Sequence, residues 1–125
     1  MARSQEKSVR KVSGGRYHYS RTKKKYELAG FPALTKLGQE KKMVAARGLG
    51  GNKKQVLLVA NKINVADKNG KTTVLDILNV VGNPANPQLV IRNIITKGAI
   101  VETKLGKVRV TSRPGQEGTL NGVVV

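Results

Sequence analysis

Gln55-Val56-Leu57-Leu58-Val59-Ala60-Asn61-Lys62-Ile63-Asn64-Val65-Ala66, then Asp67-Lys68-Asn69-Gly70, then TTVLDILNVV over 72–81: two β-branched apolar runs flank an Asn-Gly pair. Asn-Gly is the strongest short-range hairpin signal, because both residues tolerate the positive φ that a tight reversal needs. Ile63 and Val65 alternate with Asn64, a period of two. The run 74–81 is apolar except at Asp76 and Asn79, so periodicity alone leaves a helix open there, and the flanking turns favour a strand. Working outward, further strands are expected at 43–47, 88–96, 98–103, 107–111 and 119–125, all rich in Val, Ile and Leu. Leu105-Gly106 between two lysines marks another reversal. Asn83-Pro84-Ala85-Asn86-Pro87 breaks the chain before 88–96. Pro114-Gly115 suits the centre of a type II turn. Seven short strands at close spacing predict an all-β fold, a small closed or nearly closed barrel of antiparallel type, which also hides its sheet edges. An open antiparallel sandwich is the structural alternative.

The barrel segment is assigned to 43–125, and 1–42 is read as a basic, mostly irregular extension. The 125 residues hold 24 Lys+Arg against 7 Asp+Glu, a net charge of +17. Residues 1–54 carry +12 of it and residues 55–125 the remaining +5. Residues 1–25 have few aliphatic side chains to offset their ordering entropy, so the arm is expected to order on a partner rather than alone. All four aromatics, Tyr17, Tyr19, Tyr26 and Phe31, lie in it among basic residues. Basic groups hold phosphates and aromatic faces stack on unpaired bases. For Tyr26 and Phe31, docking onto the folded domain is an equal reading.

Excess positive charge of this size is self-repelling unless a polyanion neutralises it, and a polyphosphate backbone is the usual one. With no Cys and one His, thiolate and multi-His metal sites are excluded. The seven acids form no paired-carboxylate motif, and His18 has no nucleophile or carboxylate beside it, so catalytic residues, metal and cofactor are expected to be none. Gly70-Lys71-Thr72 mimics the end of a P-loop, but Val65 stands where its first glycine belongs. The turn 48–54 (GLGGNKK) reads equally as an anion-binding nest or as a plain loop. The segment 111–118 (TSRPGQEG) reads equally as a sugar–phosphate contact or as an ordinary turn.

Three blocks together resemble the small-subunit ribosomal protein eight family of the archaeal and eukaryotic type, which is unrelated to the bacterial protein of that number. The first is Ser13-Gly14-Gly15, the basic stretch to Lys25, Tyr26-Glu27-Leu28, and Thr35-Lys36-Leu37-Gly38. The second is Thr96-Lys97-Gly98-Ala99-Ile100-Val101-Glu102. The third is Val110-Thr111-Ser112-Arg113-Pro114-Gly115-Gln116, with Gly118 after it. They span most of the chain in the family's order, in its short archaeal form. One departure is Ala29-Gly30 after Leu28, where the family usually has Gly-Arg, so that arginine's contact does not transfer. The resemblance implies a six- or seven-strand barrel with a basic arm on small-subunit rRNA.

The expected function is therefore that of a structural rRNA-binding protein of the small ribosomal subunit, acting in the cytoplasm within the ribosome and supporting translation and subunit assembly. Its expected partners are small-subunit rRNA and neighbouring ribosomal proteins, with no membrane and no small-molecule substrate. In the arm, Arg10, Lys11, Arg16, Arg21, Lys23, Lys24 and Lys25 are candidates for phosphate, and Tyr17, His18, Tyr19 and Tyr26 for bases or sugars. Lys36, Lys41, Lys42, Arg47, Lys53 and Lys54 extend the contact toward the barrel, and Arg113 and Gln116 add a second point. The competing readings are a free chromatin or regulatory module, which would bind DNA as well, and a membrane-active cationic protein. The arm lacks the amphipathic stripe that the last requires.

Overall fold

The computed structural model describes residues 9–18, 21, 22, 24–67 and 69–125. The chain forms two compact units, Met1–Pro32 and Ala33–Val125. In the second unit the strands are β1 (Thr35–Leu37), β2 (Lys42–Arg47), β3 (Lys53–Ala60), β4 (Lys62–Ala66) and β5 (Thr72–Gly82). A short helix α1 (Gln88–Ile91) follows, then β6 (Ile94–Ile95), β7 (Ile100–Thr103), β8 (Gly106–Val110), helix α2 (Pro114–Glu117) and β9 (Asn121–Val124).

Strands β4-β5-β7-β8-β9 close into a barrel, and β2-β3-β1-β6 form a second, open sheet. The expected small closed barrel is present, built from five strands rather than seven. It is a meander, and its odd number of strands dictates how it shuts. Each turn reverses direction, so the first and fifth strands run the same way, and β4 pairs β9 in parallel, Val65 opposite Gly122. The remaining barrel pairs are antiparallel. The Asn-Gly hairpin joins β4 to β5 as expected: the Asp67 N–H donates to Lys71 O at 2.9 Å and the Gly70 N–H to Asp67 O at 3.0 Å, with Gly70 at φ 78°.

Alternation fills the interior with small branched side chains. Ile63, Val65, Val101, Val108 and Val110 are fully buried. The barrel core holds no ring, since the sequence has no aromatic residue after Phe31. Its bend comes from two register shifts in β5, one between Ile77 and Asn79 and one between Val80 and Gly82. Such bulges tighten the local twist. Each fully buried Val or Ile contributes about 1.5–3 kcal/mol by leaving water.

Four expectations change. The segment 55–66 is two strands: the Ile77 N–H donates to Asn61 O at 2.8 Å, so Asn61 is the corner where the chain leaves the open sheet for the barrel. The segment 88–96 is α1 followed by the two residues of β6. Asn86 Oδ1 accepts the Gln88 N–H at 3.0 Å and Asn86 O accepts the Leu89 N–H at 3.1 Å, which starts a helical turn that Asn93 ends at φ 50°. The segment 43–47 pairs in the open sheet, not in the barrel. Pro114-Gly115 opens α2 instead of a type II turn. Proline's fixed φ suits the first helical position, and the positive φ falls on Gly118, at 68°.

The open sheet also takes in β1, which no apolar run announced. The Thr35 side chain is buried and its Oγ1 donates to Leu57 O at 2.6 Å. Lys36 lies opposite both Val59 and Ile94. Among the described residues no helix is long and apolar enough to cross a membrane, and no group of His, Cys, Asp or Glu could hold a metal ion.

Candidate nucleic-acid interface

In the second unit, the hairpin β2–β3 concentrates charge on an exposed edge. All six residues of β2 are exposed, and it is the outermost strand of its sheet. Residues 48–52 turn the chain with Gly50 and Gly51 at φ 71° and 77°. The Gly48 N–H is spent on Asn52 O at 2.7 Å, and Asn52 Nδ2 donates to Leu49 O at 3.0 Å. This closed turn sets Arg47 directly opposite Lys53, while Lys54 opposes Ala46 on the other face. Lys42 marks the far end of β2, about 17 Å from Arg47 at strand rise. Lys41 stands with Lys62 over a groove of about 440 Å³ whose wall includes Leu57, Asn61, Asn64 and Leu120. None of Lys36, Lys41, Lys42, Arg47, Lys53 and Lys54 has an ion-pair partner among the described residues.

The second focus is the segment 112–119. Ser112 is buried, donates Oγ–H to Thr119 O at 3.1 Å and accepts the Asn121 N–H at 2.9 Å. This bridge gathers the segment into a compact arch over α2. Glu117 braces the arch: Oε2 accepts the Arg113 N–H at 3.3 Å, and Oε1 lies 3.5 Å from Arg113 Nε. Gly118 abuts β3, since a β-carbon there would stand 2.9 Å from Gln55 Cβ. Arg47 and Lys53 share the face of Gln55, by the period-two rule, so the hairpin charges and the arch adjoin. Arg113 and Gln116 border a cleft of about 330 Å³ whose lining also includes Thr96 and Lys97. Sequence reasoning missed Thr96 and Lys97, which it placed at a strand end. The Lys-Gly pair at 97–98 was the available signal, with Gly98 at φ 85°.

In the first unit, Val9 to Tyr17 form a small hairpin. Gly14, at φ 83°, closes it. The Lys11 N–H donates to Gly15 O at 2.7 Å and the Tyr17 N–H to Val9 O at 3.0 Å. Arg10 is bridged to Arg16 across it, and Arg10 Nη1 donates to Gly14 O at 2.9 Å. The Lys11 ammonium lies 5.5 Å from the Tyr17 ring centroid. His18 is exposed. Arg21 pairs with Glu27 through both guanidinium nitrogens, and Glu27 Oε2 also accepts the Lys24 N–H at 2.9 Å. This single acid thus holds the turn Lys25–Glu27 in shape. Lys24 and Lys25 are exposed, as are Tyr26 at 81% and Phe31 at 83%. Tyr19 and Lys23 lie outside the described residues.

Comparison with known proteins bears on what these charges meet. The family model described as Ribosomal protein S8e matches residues 4–125. The small ribosomal subunit protein eS8 of Methanobrevibacter smithii is 52% identical over 126 residues, covering the whole of both chains. Those of Methanocorpusculum labreanum and Methanococcus aeolicus are 48% and 47% identical, each over 97% of this chain and 97% and 95% of their own.

Proposed function

The chain belongs to the ribosomal protein S8e family, and from that premise we propose that it is a structural constituent of the small ribosomal subunit that binds its rRNA through both units. The family is a ribosomal, non-enzymatic one. The observation that carries the reading is likeness at 52% identity over full length to a protein named for that subunit. The unpaired cations of the β2–β3 hairpin supply the physical reason, because charge held without partners is relieved by phosphate and the released counterions drive the association.

We assign the contacts as follows. Lys42, Arg47, Lys53 and Lys54 on a rigid hairpin set register along a phosphate backbone. Arg113 and Gln116 reach sugar and base edges from the arch. The extension over 1–42 carries most of the electrostatic affinity through Arg10, Lys11, Arg16, Lys24, Lys25 and Lys36. Tyr17, His18 and Tyr26 pack on bases or sugars, and Tyr19 and Lys23 are assigned to the same contact by sequence. The barrel leaves neighbouring ribosomal proteins its outer face.

A sucrose-gradient profile of lysate, washed at high salt and probed for this chain, tests the proposal. Retention in the small-subunit peak supports it. Release to the top of the gradient, or migration with DNA, transfers the function to a free nucleic-acid-binding module.

A further inference from the structure

Two polar turns, separate in sequence, line one cleft. The first is Thr96-Lys97, turned by Gly98. The Ala99 N–H donates to Thr96 O at 3.1 Å and the Gly98 N–H to Val110 O at 2.8 Å, so its backbone is fixed by the barrel. The second is Arg113–Gln116, fixed by Ser112 and Glu117 as described above. Between them lies a cleft of about 330 Å³ floored by Ala33, Ile95, Pro114 and Gly115. That is the lower end of the range that holds small ligands, about 300–1,000 Å³.

We infer that this cleft takes one unstacked RNA nucleotide, with Lys97 and Arg113 on its phosphate and ring face and Gln116 on the base edge. The inference rests on the rRNA-binding reading and specifies what part of the RNA it engages. Three observations separate it from general phosphate contact. First, the floor is apolar and closely packed: Pro114 and Ile95 are buried, and a β-carbon on Gly115 would stand 3.5 Å from Ala33 Cβ. A phosphate gains nothing from such a floor, whereas a base does. Second, the cleft is shallow and open, so a base splayed from its helix can lie in it, whereas paired RNA turns its bases inward.

Third, the rim has the donors a nucleotide needs, and they are not consumed. Lys97 and Gln116 make no side-chain hydrogen bond or ion pair among the described residues. Among the described residues Arg113 is held only by Glu117, at 3.5 Å with both side chains about half exposed. Exposed pairs of this kind are weak, so the planar guanidinium is available to lie against a base. Gln116 carries both a donor and an acceptor in one plane, the pattern that reads a base edge. Thr96 Oγ1 accepts from Asn83 Nδ2 at 2.8 Å, which orients its own hydroxyl proton elsewhere, and into the cleft if an acceptor arrives.

The test compares two RNAs with the full chain: a short perfect duplex, and the same duplex with a single unpaired uridine. Direct binding to small-subunit rRNA is measured alongside. The intact protein is expected to prefer the bulged RNA by roughly tenfold, the size of one lost base contact. Gln116→Ala and Lys97→Ala, both at exposed positions, are expected to bring that ratio close to one, with unchanged melting temperatures showing that the barrel is intact. Backbone amide shifts at 96–97 and 113–116 on adding uridine 5′-monophosphate, larger than those from inorganic phosphate, are the second expected result. A protein that binds small-subunit rRNA but shows no bulge preference, or whose variants keep it, overturns the cleft assignment alone. A protein that binds no RNA overturns the underlying reading as well.

Discussion

Gly122 stands so close to Val108 that a β-carbon on it would lie 2.6 Å from Val108 Cγ1, and 2.9 Å from the Arg109 carbonyl oxygen. Its φ is ordinary, so the glycine is there for space. It occupies an inward position of β9, where the five-strand barrel shuts against β4 and β8. Gly122→Ala is therefore expected to destabilise the protein by about 1–3 kcal/mol, the usual cost of overpacking. For a unit of this size that lowers the melting temperature by roughly 4–8 °C per kcal/mol. An unchanged melt followed by circular dichroism would contradict the closure described here.

Ser112 offers a different kind of test, because it is polar and buried. Its hydroxyl serves Thr119 O and the Asn121 N–H together. Ser112→Ala leaves both backbone groups short of a partner in a site that water reaches poorly, at about 1–3 kcal/mol. The loss should be local as well. Amide hydrogen exchange is expected to quicken at 113–119 before the barrel strands respond. Uniform quickening across β4, β5 and β9 would show that the arch is not the unit Ser112 holds.

Arg47 and Lys53 are directly opposed like charges at the tip of an exposed hairpin. Such pairs are destabilising, so this juxtaposition is at odds with stability and in keeping with phosphate binding. Lys53→Gln is expected to raise the melting temperature slightly at low salt, and the gain should shrink as salt screens the repulsion. The same variant should bind rRNA more weakly and with a shallower salt dependence. A variant that loses stability, or that binds unchanged, would separate this hairpin from the interface.

The parts of this fold that were legible in the sequence are those where local chemistry decides. Asn69-Gly70 located a hairpin and alternation at Ile63 and Val65 located a buried face, because both effects act over a few residues. Tertiary pairing decided the rest. Thr35–Leu37 became a strand because Leu57 O and Ile95 were waiting for it, and no periodicity in three residues signals that. The run 88–96 looked like a strand by composition, and the turn at Asn86, whose Oδ1 accepts the Gln88 N–H, overrode it. At the candidate interface, the basic residues were visible as charge, but not their grouping. Arg47 meets Lys53 only through the hairpin register, and Lys97 meets Arg113 only once the barrel brings positions 97 and 113 to one rim.

The last expectation concerns the first unit and separates affinity from folding. Residues 1–30 carry nine of the 24 basic side chains and two of the seven acids, so their removal strips a large share of the net charge. The second unit keeps its own core, since among the described residues all the buried hydrophobic ones lie from Leu57 onward. Deleting 1–30 should therefore leave the thermal transition cooperative while weakening binding to small-subunit rRNA. Each phosphate contact contributes about 0.7–0.9 to the slope of log K against log salt, depending on whether the strand is single or paired. A loss of several contacts is thus visible as a shallower slope, whatever the absolute affinity. If the truncated chain bound with the full slope, the phosphate contacts would lie on the hairpin and arch alone, and the extension would have to act through Tyr17 and Tyr26 on bases. Replacing those two tyrosines with Ala in the full chain would then lower affinity without altering the slope, which distinguishes stacking from charge.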